Sequence, residues 1–399
     1  MIAIYTLTSA LHDEEAVARM TQQFLNSLNI EYAFKGTNYD SYGTADLDLL
    51  YVRTGGSESK FLEALPTLRA RSRRPIYLLT NGKSNSLAAS MEILSYMNSH
   101  GIEGEILHGS TDYINRRVTA LVAIEAAFKQ LKDLRLGIVG APSDWLISSV
   151  TNADAVKQRL GIDLVKISLD EVLRRFNAIT DVEVPEALAA RATTPHLQSA
   201  VSDAQRLYLA MRSLCDEYQL SGFTVRCFDL LSQVHNTGCW ALARLNAEGI
   251  TAGCEGDVPT LLAMTLTRVV TGVSGFQCNP ANIDPERGEI TFAHCTIPLN
   301  MVERYELDTH FESGIGVGIR GFAANGPVTI FKVSGDLSRF FVAEGTLVRS
   351  EAKPDLCRTQ QVIELDNAAD ARYFLTAPIG NHHVVMPGHH AAALRSLLK

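Results

Sequence analysis

Short apolar segments alternate with amphipathic helical ones through the first two thirds of the chain, and after about residue 280 that alternation stops. Residues 2–6, 47–52 and 75–79 have the length and apolar character of buried strands, while 14–28 and 87–97 carry helical periodicity. Strands separated by helices form parallel sheets, because the crossover needs the helix to return the chain to the same edge. The pattern restarts with a strand at 134–140, followed by Pro142-Ser143-Asp144-Trp145 as a turn and helix start. It continues through a polar stretch at 180–194, a helix at 197–218 and strands at 222–227 and 250–254. Beyond it, residues 290–297, 314–319, 328–333 and 340–348 alternate in character between glycines, as antiparallel strands do, and a short helix at 391–398 ends the chain. The expected fold class is α/β: two doubly wound domains, 1–130 and 131–280, followed by a C-terminal antiparallel β-barrel-like domain, 281–399. A length of 399 residues agrees, since one core rarely organises so many.

A net charge of −8 argues against nucleic acid as a partner, because binding a polyphosphate needs a concentrated basic surface. The one basic cluster, Arg69, Arg71, Arg73 and Arg74, closes a helix before Pro75, where cations favour the helix dipole. Seven cysteines without a Cys-x-x-Cys spacing signal neither a disulfide framework nor a thiolate zinc site, so a reducing compartment is expected. Met1 to Tyr5 already read as a strand, and no apolar run reaches membrane-spanning length, so the expected location is cytoplasmic with no membrane partner. Gly316-Val317-Gly318-Ile319-Arg320-Gly321 satisfies G-x-G-x-x-G, but a turn at 323–326 follows where a dinucleotide site requires a helix.

The chemistry then rests on acids and histidines. Cys254-Glu255-Gly256-Asp257 brackets a glycine with two carboxylates where an apolar strand meets a long helix. Asp257 is suited to cap that helix, Pro259 fits its first turn and Thr271-Gly272 closes it. Glu255 follows a buried strand, a costly place for a carboxylate unless it is paired, hydrogen-bonded or metal-bound. Asp229 follows the neighbouring strand, at the sheet edge where ligands gather in open α/β folds. His294 and His382 supply the imidazoles that, with carboxylates, hold a divalent cation. His382 and His383 begin a strand and point to opposite faces, so one of the two at most is a ligand. His389 and His390 are suited to cap the last helix, and Cys254 and Cys295 to core packing. Ser143 and Trp145 fit a sugar-facing pair and equally an N-cap with a packed ring; Arg226 and His383 are further candidate substrate contacts.

These segments resemble the L-fucose and L-arabinose ketol isomerases. The resemblance is carried by Ala252-Gly253-Cys254-Glu255-Gly256-Asp257 with the helix ending at Thr271-Gly272, by His294 within 292–295, and by Gly380-Asn381-His382-His383 with Pro387-Gly388-His389. It covers mainly residues 220–399; the N-terminal half matches by architecture, two doubly wound (Rossmann- or flavodoxin-like) domains. The resemblance implies a Mn²⁺ or other divalent-cation site with Glu255, Asp257, His382 and His294 as ligands, and Glu255, Asp229 or Asp257 as acid–base groups. It implies a sugar substrate interconverted between aldose and ketose through an enediolate. It also implies a homo-oligomer, hexamer or trimer, with sites completed across subunits by loops such as 54–58 and 81–86. One departure stands out: the relatives' upstream catalytic glutamate falls at Phe228, beside Asp229. That departure motivates a second expectation, a non-catalytic sugar-binding or regulatory protein, and a metal-dependent lyase or epimerase would share every residue.

Overall fold

The structure, a computed structural model, describes residues 1–398 and divides into two compact units, Met1–Ala126 and Ala127–Lys399. In the first, strands β1 (Ile2–Leu7), β2 (Tyr32–Gly36), β3 (Leu47–Val52), β4 (Ile76–Leu79) and β5 (Gly104–Leu107) form a parallel sheet in the order β2-β1-β3-β4-β5. β1, β3 and β4 are buried along their whole length, which is why their sequences run apolar without alternation. The helices Glu14–Ser27, Glu58–Arg71 and Ser86–Ser99 make the crossovers. The basic cluster is partly tied down, with Arg69 donating to the Arg74 carbonyl and Arg74 paired with buried Glu125.

The second unit opens with a four-stranded parallel sheet of β6 (Arg135–Val139), β7 (Asp163–Ile167), β8 (Gly222–Val225) and β9 (Thr251–Cys254), in the order β7-β6-β8-β9. It then forms a closed antiparallel barrel, β10-β11-β16-β15-β14-β17, with a hairpin of β12 (Arg304–Asp308) and β13 (Gly318–Phe322) beside it. The barrel strands are β10 (Phe276–Asp284), β11 (Glu289–His294), β14 (Gly326–Val333), β15 (Phe340–Glu351), β16 (Thr359–Leu365) and β17 (His383–Pro387). The molecule is thus mixed α/β, with parallel-sheet units followed by a closed six-stranded barrel. Among the described residues no helix is long and apolar enough to cross a membrane.

Three local expectations are corrected. Residues 142–145 form a turn, and no helix starts until Ala153–Leu160, where Asn152 supplies the cap. β8 stops at Val225, two residues early, because Cys227 already has helical backbone angles and leads into the helix Phe228–Val234. The strand expected at 314–319 runs instead over Gly318–Phe322, paired with β12, and Gly316 sits in the preceding loop at φ +65°; the rejection of the G-x-G-x-x-G match as a dinucleotide site stands.

The chain is closely packed where β9 ends. Gly256 has φ +70°, and a methyl group there would come within 2.4 Å of the Ala141 carbonyl oxygen. Gly272, the C-cap of the helix Val258–Thr271, also has positive φ but open space around it. Gly256→Ala is therefore expected to cost roughly 2–5 kcal/mol, backbone strain plus an unrelieved clash, and Gly272→Ala only about 1 kcal/mol. Denaturant melts of both variants check this; equal losses would mean the Ala141 contact yields.

Candidate active site

β8 and β9 are neighbours in register, Val225 opposite Cys254, so whatever follows them is delivered to one edge of the sheet. Glu255 follows β9 with φ +65°, a left-handed conformation that costs a residue bearing a side chain roughly 1–3 kcal/mol. Backbone bonds hold it there: its carbonyl accepts from Ser143 N at 2.9 Å, and Gly256 N donates to the Val225 carbonyl at 2.9 Å. The barrel supplies the imidazoles. β17 and β11 flank β10, with Cys278 opposite His383 and Asn279 opposite Ala293, which brings His382 and His294 to the same end of the barrel.

The two oxygens of Glu255 have separate partners. Oε2 accepts a 2.7 Å hydrogen bond from Trp145 Nε1. Oε1 lies 3.4 Å from His382 Nε2 and 3.5 Å from His294 Nε2. Each imidazole is oriented from behind: His294 Nδ1 is 3.0 Å from Thr296 Oγ1, and His382 Nδ1 donates to Asp257 Oδ2 at 2.8 Å. Asp257 also caps its helix through Oδ1, accepting from Thr260 N at 3.0 Å, so both of its oxygens are engaged. Behind it the fully buried Lys332 donates to Thr260 Oγ1 at 2.9 Å and sits 3.7 Å from Asp257 Oδ2.

This arrangement asks for positive charge at one point. With its Nδ1–H given to Asp257, His382 aims the Nε2 lone pair at Glu255 Oε1, and that Nε2 is buried with no hydrogen-bond partner among the described residues. Burial pushes the Glu255 carboxyl up, but His382 and His294 outweigh it and hold it well below the usual range. Asp257 is likewise raised by burial and lowered more by Lys332 and His382. Burial disfavours charge on His382, yet Glu255 and Asp257 raise its pKa to about 9, so without an ion a proton fills the gap. Two ligands each about 2.1 Å from a shared cation stand roughly 3.0–3.4 Å apart, close to the Glu255–imidazole separations seen. The donor set fits a divalent ion bound by one carboxylate and two imidazoles, which leaves coordination positions open.

Glu255 and His294 face a shared pocket. Phe228 and His310 line it, and Phe228 packs edge-on to both Trp145 at 4.7 Å and His310 at 5.5 Å, giving an aromatic rim. Glu312, from the loop between β12 and β13, lines the same pocket, and partial burial together with Glu255 raises its carboxyl above the ordinary value. Five of the seven cysteines also line it, Cys227, Cys239, Cys254, Cys295 and Cys357, where the sequence suggested core packing for Cys254 and Cys295.

Of the residues singled out in the sequence, Glu255, Asp257, His294 and His382 converge, and Trp145 joins them through its indole N–H. Asp229 does not. It lies in the first turn of Phe228–Val234 with both oxygens 3.1 Å from Arg226 Nε, and it is absent from the pocket lining. Arg226 is in turn spent on Asp229, Asp144 and the Pro142 carbonyl. His383 is fully buried against Phe374, bonded to Tyr373 Oη and the Asn381 carbonyl, burial drives its pKa down to about 3, and it is absent from the pocket lining. Ser143 is buried and acts through its backbone N–H on Glu255. Lys332 was missed, though a lysine at the penultimate position of an otherwise apolar strand was a readable signal. Glu312 and His310, on an irregular loop, gave none.

The L-arabinose isomerase central-domain family matches residues 147–274, a stretch that holds Glu255, Asp257 and the helix they precede, but neither His294 nor His382. Similar curated proteins are the sulfoquinovose isomerases of Priestia aryabhattai and Priestia megaterium, each 23% identical over 311 residues, covering 73% of this chain and 68% of the relative. That of Alkalicoccus urumqiensis is 23% identical over 261 residues, covering 62% of this chain and 59% of the relative. The class is that of sugar isomerases, enzymes that interconvert aldoses and ketoses. At this low identity the chain is similar to arabinose isomerase-like and sulfoquinovose isomerase proteins.

Proposed function

We propose that this sugar isomerase is metal-dependent and works through an enediolate, with a divalent cation, Mn²⁺ by family resemblance, held by Glu255, His294 and His382. The observation that carries the reading is the buried Nε2 of His382, without a hydrogen-bond partner among the described residues, aimed with His294 Nε2 at one oxygen of Glu255. When bound, such an ion polarises the sugar carbonyl and steadies charge on the adjacent oxygens. Asp257 is a positioning residue: its hydrogen bond fixes the His382 tautomer that leaves Nε2 free, as carboxylates behind metal-binding histidines do. Trp145 holds the other Glu255 oxygen, and the rim of Trp145, Phe228 and His310 receives the apolar face of a sugar ring. Glu312, with no ion pair among the described residues, takes the place intended for Asp229. It removes the proton beside the carbonyl and returns it to the neighbouring carbon. By the same resemblance the protein acts as a homo-oligomer, a trimer or hexamer.

Because the curated relatives are named for sulfoquinovose, the substrates to offer are sulfoquinovose, L-arabinose and L-fucose. Chelation of the purified protein should abolish turnover, and MnCl₂ should restore it, with the ketose as product. Sugar binding that survives chelation without any turnover would support a binding protein instead, and a cleaved or epimerised product would name a lyase or epimerase.

A further inference from the structure

We propose, resting on the metal-site reading above, that Cys254 is a sulfur ligand to the same cation, which makes this a mixed nitrogen, oxygen and sulfur centre. Cys254 ends β9, immediately before Glu255, and is 4% exposed. Its Sγ, a carboxylate oxygen of Glu255 and a ring nitrogen of His294 all lie within 4.8 Å of one another, close enough for small side-chain rotations to bring them onto one ion. The independent sign of a ligand is again the buried Nε2 of His382, which faces the same Glu255 oxygen and has no hydrogen-bond partner among the described residues.

The backbone of Cys254 is fixed in a way that holds its sulfur beside Glu255 and His294. Its backbone is clamped from both sides by Gln277, whose Oε1 accepts from Cys254 N at 2.8 Å and whose Nε2 donates to the Cys254 carbonyl at 3.2 Å. Its sulfur is 2.9 Å from Cys227 Sγ. Its bond to Cys227, burial and the Glu255 charge all favour the protonated thiol, so only a bound cation would draw the proton off. As the bond forms, the thiol proton leaves to solvent and the sulfur electron pair goes to the ion. Thiolate favours the softer divalent ions and steepens the ordinary rise in affinity from Mn²⁺ through Co²⁺, whereas a centre of carboxylate and imidazole alone shows the shallower trend.

Cobalt itself is the probe. Metal-free protein titrated with CoCl₂ should show visible ligand-field bands, which report binding, together with a near-ultraviolet sulfur-to-cobalt charge-transfer band. In Cys254→Ser or Cys254→Ala the visible bands should remain and the charge-transfer band should vanish, while Cys227→Ser should keep both. Visible bands without charge transfer in the unmodified protein would overturn the sulfur ligand and leave the metal site standing, whatever the variants do. A charge-transfer band that persists in both Cys254 variants would also overturn it. Absence of every cobalt band would overturn the metal site itself.

Discussion

Glu255→Gln is expected to lower kcat by roughly 10³-fold or more and to strip the protein of stoichiometric metal, with the fold retained. The amide keeps the size of the side chain and can still accept from Trp145, so the 2.7 Å indole bond and the turn at φ +65° survive. What it cannot do is carry the charge that faces His382 and His294. Without that charge the cation loses its only anionic first contact among the carboxylate and imidazole donors, since Asp257 spends both oxygens on Thr260 and His382. Metal content per chain, turnover with added MnCl₂ and circular dichroism separate the consequences. Loss of turnover with metal and fold intact would make Glu255 an acid–base group alone. Full activity would remove it from the mechanism.

The β9 end was legible because its rules are local. Asp257 caps, Pro259 sits in the first turn and Gly272 closes the helix, each a matter of neighbours within four residues. Glu255 was legible for a different reason: a carboxylate placed after a buried strand must find partners, although the sequence could not say which. Asp229 falls outside the pocket because β8 ends two residues short of the expected 222–227. Once the strand stops at Val225, Arg226 is three residues from Asp229 on a helical turn and captures it. The double duty of Asp257 was half visible, since a cap explains one oxygen, but its bond to His382 spans 125 residues and exists only once the barrel closes. The same holds for the Trp145–Glu255 bond, 110 residues apart, and for the five cysteines, whose spacing in the chain is unremarkable. Closure of β17 against β10 and β14 is what brings the tail of the chain to a carboxylate in its middle.

Glu312→Gln is expected to lower kcat by about 10²–10⁴-fold with little change in KM and no change in bound metal, as for removal of a general base that does not hold the ion. Glu312 lines the same pocket as Glu255, from the loop after β12. Partial burial and the nearby Glu255 raise its pKa, which brings a base closer to working pH, whereas the strongly lowered Glu255 is a poor proton acceptor. The sign of the pH effect follows. A base must be deprotonated to act, so kcat/KM of the unmodified enzyme should rise with pH on its acid side through a value above that of an ordinary glutamate, and Glu312→Gln should lack that limb. Asp229→Asn is the control, because its carboxylate is already committed to Arg226; activity should stay within about threefold, the scale of a surface ion pair. A cobalt spectrum identical to that of the unmodified protein in both variants would separate proton transfer from metal binding. If Asp229→Asn were the more damaging of the two, the proton would travel by the carboxylate beside Phe228, and Glu312 would be only a polar wall of the pocket.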